Sequence, residues 1–170
     1  VDRLRAAQVL SADAASRATG YVCVESVVAS VGSDAPVAVD GTVCLWLSEL
    51  DARGVKVERS VSSLRVGPLE VRPDTLTSWD DPAELTPRVD GVIHRFSAIK
   101  ADQPVTIIGN VDHGVIAGGS GSSVSTRPSR NAIADHLAEV SRSGRIGGTI
   151  TLLIGAMFLG LWHLARRQRA

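Results

Sequence analysis

Hydrophobic and polar positions alternate in short runs through the middle of the chain, and at both ends they recur every three or four residues. YVCVESVVASV, after Gly20, is rich in Val and closes at the turn-like GSDAP of 32–36, which predicts a strand. VAVDGTVCLWLSELD predicts a strand through Val43–Leu47 behind the turn signal Asp40-Gly41. In the next stretch Val55, Val57, Val61, Leu64, Val66, Leu69 and Val71 alternate with polar residues, punctuated by Gly54, Gly67-Pro68 and Pro73. GVIHRFSAIK and PVTIIGNVDHGVIAG predict three more strands, bent at Gly109 and Gly114, with a tight turn at Asp112-His113-Gly114. Between these groups, residues 72–90 hold three prolines and four aspartates and read as the longest surface loop. GGSGSS at 118–123 reads as a flexible hairpin or a loop over a partner. Closely spaced short strands of this kind predict a mainly β, α+β domain: a small antiparallel meander or a partly closed barrel.

The helical period governs the flanks. In residues 1–18, Leu4, Ala7, Leu10 and Ala14 share one face and Gly20 is a stop signal, so a juxtamembrane helix is expected. Near the other end Ser129 is placed to cap a helix whose apolar stripe is Ile133, Ala134, Leu137 and Val140. Ile146–Leu164 then runs 19 residues without a formal charge. As a helix it would span about 28 Å, close to a bilayer's hydrocarbon core. Arg142 and Arg145 stand on one side, Arg166, Arg167 and Arg169 on the other, with Trp162 and His163 at the expected interface. A buried helix of a soluble domain is the alternative, but such helices seldom go so long without charge. The expected organisation is therefore 1–18 helix, 19–128 β-rich domain, 129–145 amphipathic helix, 146–164 transmembrane helix and 165–170 basic tail.

Charge sharpens this division. The chain is formally neutral, yet all 18 acidic residues lie at or before Glu139, where 13 basic residues accompany them, and five Arg with no acid follow. A mildly acidic domain with 4% aromatic residues is not the surface of a nucleic-acid binder. The chain opens at Val1, without Met or a signal-like region, from which a processed or partial chain is expected. Cys23 and Cys44 could form one disulfide in an oxidising compartment or lie buried as free thiols in their apolar strands. Two cysteines cannot build a Cys-rich zinc site.

No catalytic, cofactor-binding or metal-ligating residue is assigned. His94, His113, His136 and His163 show no metal-ligand spacing and read as surface or interface histidines. Gly118-Gly119-Ser120-Gly121 resembles a nucleophile elbow only in composition, because Ser122 stands where the second glycine is needed, and no phosphate-loop Lys follows. Asp80, Asp81 and Glu84 could hold a cation but lack regular ligand spacing and read as a solvated acidic loop. Gly144/Gly148 and Ala156/Gly160 have the spacing of small residues that lets membrane helices pair closely.

The order of these pieces resembles a known family. VCVESVVA, PVAVDGTVCLWLSELD, VGPLEVRPDTL and IKADQPVTIIGNV, followed by VSTRPSRNAIADHLAEVSRSGR running into an apolar stretch, are similar to the GIDE or BAM (beside-a-membrane) domain. That domain occurs in membrane-anchored RING-type E3 ubiquitin ligases and in prokaryotic proteins. The chain departs from the pattern at Ala98, where many members carry Glu, and at Asp102, in the usual tight-turn glycine region. The resemblance covers roughly residues 20–165 and implies a β-rich domain between two membrane helices. The first would lie upstream of residue 1, with the domain facing the extracytoplasmic side. Only ARRQRA follows Leu164, without the ligases' Cys/His-rich zinc module.

The function expected is a non-catalytic interaction or scaffold domain beside the bilayer. Loops 72–90 and 118–123 are its expected surface for a protein partner. Part of a ubiquitin ligase without its RING, a hydrolase with an unconventional site, and a structural membrane subunit paired through the anchor are the alternatives.

Overall fold

The computed structural model describes residues 2–50, 53–119 and 121–143. Residues Asp2–Ile133 form one compact unit, and a second unit contains the chain from Ala134 on. The expected transmembrane helix 146–164, its GxxxG-type pairs, the basic tail and His163 lie outside the described residues. Among the described residues no helix is long and apolar enough to cross a membrane.

The first unit is mainly β, as its alternating pattern requires. In chain order its elements are α1 (Asp2–Ala6), β1 (Gln8–Val9), α2 (Ala12–Ala15), β2 (Gly20–Val27), β3 (Ser30–Val31), β4 (Cys44–Leu50) and β5 (Lys56–Ser60). There follow β6 (Leu64–Val66), β7 (Leu69–Arg72), β8 (Ser78–Asp80), β9 (Ala83–Leu85), β10 (Arg88–Val89) and β11 (Val92–Ile93). The last strands are β12 (Phe96–Lys100), β13 (Val105–Asp112), β14 (Val115–Ala117) and β15 (Ser123–Ser125). Residues 130–143 are helical.

The strands do not form the simple antiparallel meander expected, nor do they close into a barrel. One sheet runs β1-β2-β13-β14-β7-β6-β3, with β15 added to β13 and β8 to β15. Three of its pairings, β1/β2, β14/β7 and β15/β8, are parallel. A smaller antiparallel sheet runs β5-β4-β12-β9. The two sheets share a core to which β2 sends Val22 and Val24, β4 sends Leu45 and Trp46, β12 sends Ile99 and β13 sends Ile107. The alternate residues of β2 and β13, Cys23 and Ile108, face a second cluster with Ala7 and Ile133. Cys44 and Leu47 of β4 join Ala38, Phe96 and Ala98 in a third. Cys23 and Cys44 are therefore buried free thiols in separate clusters, and no disulfide joins them.

The expected helix 1–18 is broken in two. Gln8 and Val9 pair with Val22 and Cys23, and Ser11 starts α2 by accepting a hydrogen bond from the Ala14 N–H at 3.2 Å. Strand pairing here outweighs the helix propensity of an alanine-rich stretch. Ser129 caps its helix as expected, its Oγ accepting from the Ala132 N–H at 3.2 Å. Ile133 of the expected stripe is buried, while Leu137 and Val140 are exposed.

Candidate functional site

Residues 72–90 are not one loop. They carry β8, β9 and β10, because each finds a partner distant in sequence: β8 lies on β15, β9 on β12, and β10 on β11. What remains irregular at 73–77 packs directly against the glycine-rich turn, so the two segments expected to form the working surface meet.

Their junction is a small hydrogen-bonded cluster. The Thr77 hydroxyl accepts from the Asp74 N–H at 2.9 Å, lies 3.2 Å from the Asp74 carboxylate, and shares a 3.1 Å hydrogen bond with the Ser122 hydroxyl. Ser122 Oγ donates to the Gly119 carbonyl at 2.9 Å and accepts from the Gly119 N–H at 3.1 Å. Ser78 N–H donates to the Ser122 carbonyl at 3.0 Å. Thr77 and Ser122 are both buried, so these bonds satisfy polar groups that would otherwise be stranded away from water. Gly118 lets the segments approach: a Cβ there would stand 2.6 Å from the Asp74 backbone nitrogen. From the other side Tyr21 Oη donates to the Gly121 carbonyl at 2.8 Å, and the Arg3 guanidinium sits 4.5 Å above the Tyr21 ring. Burial raises the Tyr21 pKa, and the Arg3 charge opposes that rise.

A cleft opens on each side of the junction. One, of about 250 Å³, is lined by Trp46, Glu58, Arg59, Ser60, Asp74, Thr75, Thr77 and Trp79. Glu58 pairs with Lys56 at 2.6 Å and Arg59 pairs with Glu49. The other, of about 290 Å³, is lined by Arg3, Asn110, Ala117 and the glycine-rich turn. The first cleft combines indole surface with the ion-paired Glu58 and Arg59 and with the Asp74 carboxylate, which accepts from the Leu76 N–H and the Thr77 hydroxyl. Neither tryptophan stands out in the sequence as a site residue: Trp46 looks like an ordinary strand residue and Trp79 falls in what reads as a loop, until β4 and β8 are brought together.

No family model matches the chain, nor does any curated protein or solved structure.

The remaining candidates are scattered. Asp80 and Asp81 do not form a cation site with Glu84: Arg127 Nε lies 3.3 Å from the Asp80 carboxylate, and Arg127 Nη2 lies 3.1 Å from that of Asp81. Ser125 and Thr126 donate to the same acids. Among the described residues no three His, Cys, Asp or Glu side chains gather as metal ligands. His113 occupies the β13–β14 turn beside Asp112, and His94 leads into β12. His136 lies on the helix of residues 130–143.

Proposed function

We propose that this chain is a membrane-anchored, non-catalytic interaction module of the GIDE or BAM kind. Its protein partner is taken up at the junction of residues 73–79 and 118–122. The observation that carries the reading is the Asp74–Thr77–Ser122 cluster, which presents two adjoining segments as one surface beside a cleft lined by two tryptophans. Recognition surfaces are commonly irregular segments held by a rigid scaffold, and here β8, β14 and β15 hold them. The uncharged stretch 146–164 with its flanking arginines supports the anchor. Arginine at 166, 167 and 169 supports an extracytoplasmic domain.

Two measurements test the proposal. The full chain should remain in the membrane pellet after alkaline carbonate washing, and its recovery in the supernatant would remove the anchor. A photo-crosslinking residue at the exposed Thr75 should capture a discrete protein partner that the same residue at Asp102 does not. Equal capture at both positions would remove the assigned surface.

A further inference from the structure

The two hairpins of the smaller sheet point the same way and end in exposed aliphatic side chains. The β4–β5 hairpin pairs Glu49 with Val57 and Leu50 with Lys56. Next to it, Phe96 of β12 stands opposite both Glu49 and Leu85. Beyond Phe96 the same ladder continues without a slip. His94 N–H donates to the Pro87 carbonyl at 3.0 Å, Ile93 pairs with Arg88, and Val92 pairs with Val89. Strands β9 to β12 thus form one long hairpin alongside β4–β5, and it reaches beyond Leu50 by roughly the length of four residues, about 13 Å.

Hairpin ends are ordinarily polar. Here Leu50 is 65% exposed, Val55 56%, Val92 57% and Ile93 68%. They are among the most exposed large aliphatics of the described chain, and the register gathers all four at one end of one sheet. Arg53, Lys56, Arg88 and Arg95 accompany them, against Asp90, while Lys56 is paired with Glu58. Long basic side chains around protruding aliphatics suit an anionic lipid surface: the aliphatics enter the acyl boundary and the cations stay at headgroup level. A bilayer is also the environment that the apolar stretch 146–164 of this same chain requires.

We infer that Leu50, Val55, Val92 and Ile93 form a second membrane contact, in which the end of the smaller sheet dips into the headgroup region of an anionic bilayer. The opposite end of that sheet, where the exposed Asp102 follows β12, stays in water. The inference rests on the anchor proposed above and is read separately from it.

The full chain is reconstituted into vesicles of phosphatidylcholine and phosphatidylglycerol and floated on a density gradient. Variants Leu50→Cys, Ile93→Cys and Asp102→Cys are labelled with an environment-sensitive fluorophore, the native Cys23 and Cys44 being buried. Nitroxide-bearing lipids should quench the labels at 50 and 93 severalfold more than the label at 102, and Val92→Asp should diminish quenching at 50. Vesicles of phosphatidylcholine alone should weaken the effect. A chain that floats with all three labels equally quenched or equally unquenched overturns the contact and leaves the anchor standing. A chain that does not float overturns both.

Discussion

At the residue scale, Cys23 shows how burial changes a group that sequence alone left open. Desolvation, aided by the Glu25 carboxylate and opposed by Arg130, pushes its thiol up to about 12 from an ordinary value of 9.0. The folded chain thus holds this proton more tightly than the unfolded one. Its contribution is complete below the ordinary thiol value and is lost as pH rises from there toward 12. Urea unfolding should therefore show wild type losing more stability than Cys23→Ala between about pH 8 and about pH 10.5. Native protein should also resist a thiol reagent that modifies both cysteines once it is unfolded. Gly118 is the other informative residue. Gly118→Ala drives a methyl group into the Asp74 backbone, and overpacking of this kind typically costs about 1–3 kcal/mol. The unfolding midpoint should fall accordingly, and crosslinking from Thr75 should fall with it. The glycine-rich composition of 118–121 was plain in the sequence, but the need for Gly at 118 was not. It arises from a neighbour more than forty positions away, Asp74.

At the element scale, two-residue turns were legible and long-range pairings were not. Asp112-His113-Gly114 forms the expected turn, His113 and Gly114 having φ of 47° and 78° between β13 and β14. Asp90-Gly91 carries the same signal, with φ of 50° and 81°, and closes the β10–β11 hairpin. It lay at the edge of what reads as a polar loop, since proline and aspartate density outweighed the short apolar pairs around it. Gly91→Ala places a Cβ in a left-handed conformation, which costs about 1 kcal/mol. Hydrogen exchange should show faster exchange of the His94 N–H, with the ladder of β2 and β13 unaffected. The N-terminal stretch failed as a helix for a related reason. Its periodic alanines satisfy a helix locally, but Gln8 and Val9 gain backbone partners on β2 that periodicity does not reveal.

At the scale of the whole molecule, both sheets contribute to one core, so unfolding of residues 2–133 should be cooperative. Ile116, fully buried on β14, lies within that core. Ile116→Ala should cost about 2–5 kcal/mol. In a Trp162→Phe background, tryptophan fluorescence, which then reports Trp46 and Trp79 across the two sheets, should lose signal in step with far-ultraviolet dichroism. Separate transitions would mean that the sheets are independent.

The strand-rich centre, several of its turns, the Ser129 cap and the separation of acidic from basic charge can all be read along the chain. These depend on neighbours within a few positions and on the period of apolar residues. Tertiary structure alone decided the sheet order, its parallel pairings, the division of the cysteines between clusters, and the pairing of Arg127 with Asp80 and Asp81. It also decided the meeting of residues 73–79 with Gly118 and Ser122 and the shared direction of the two hairpins. Strand partners are chosen by backbone hydrogen bonding and shared burial over long sequence separations, and neither leaves a periodic trace in the chain.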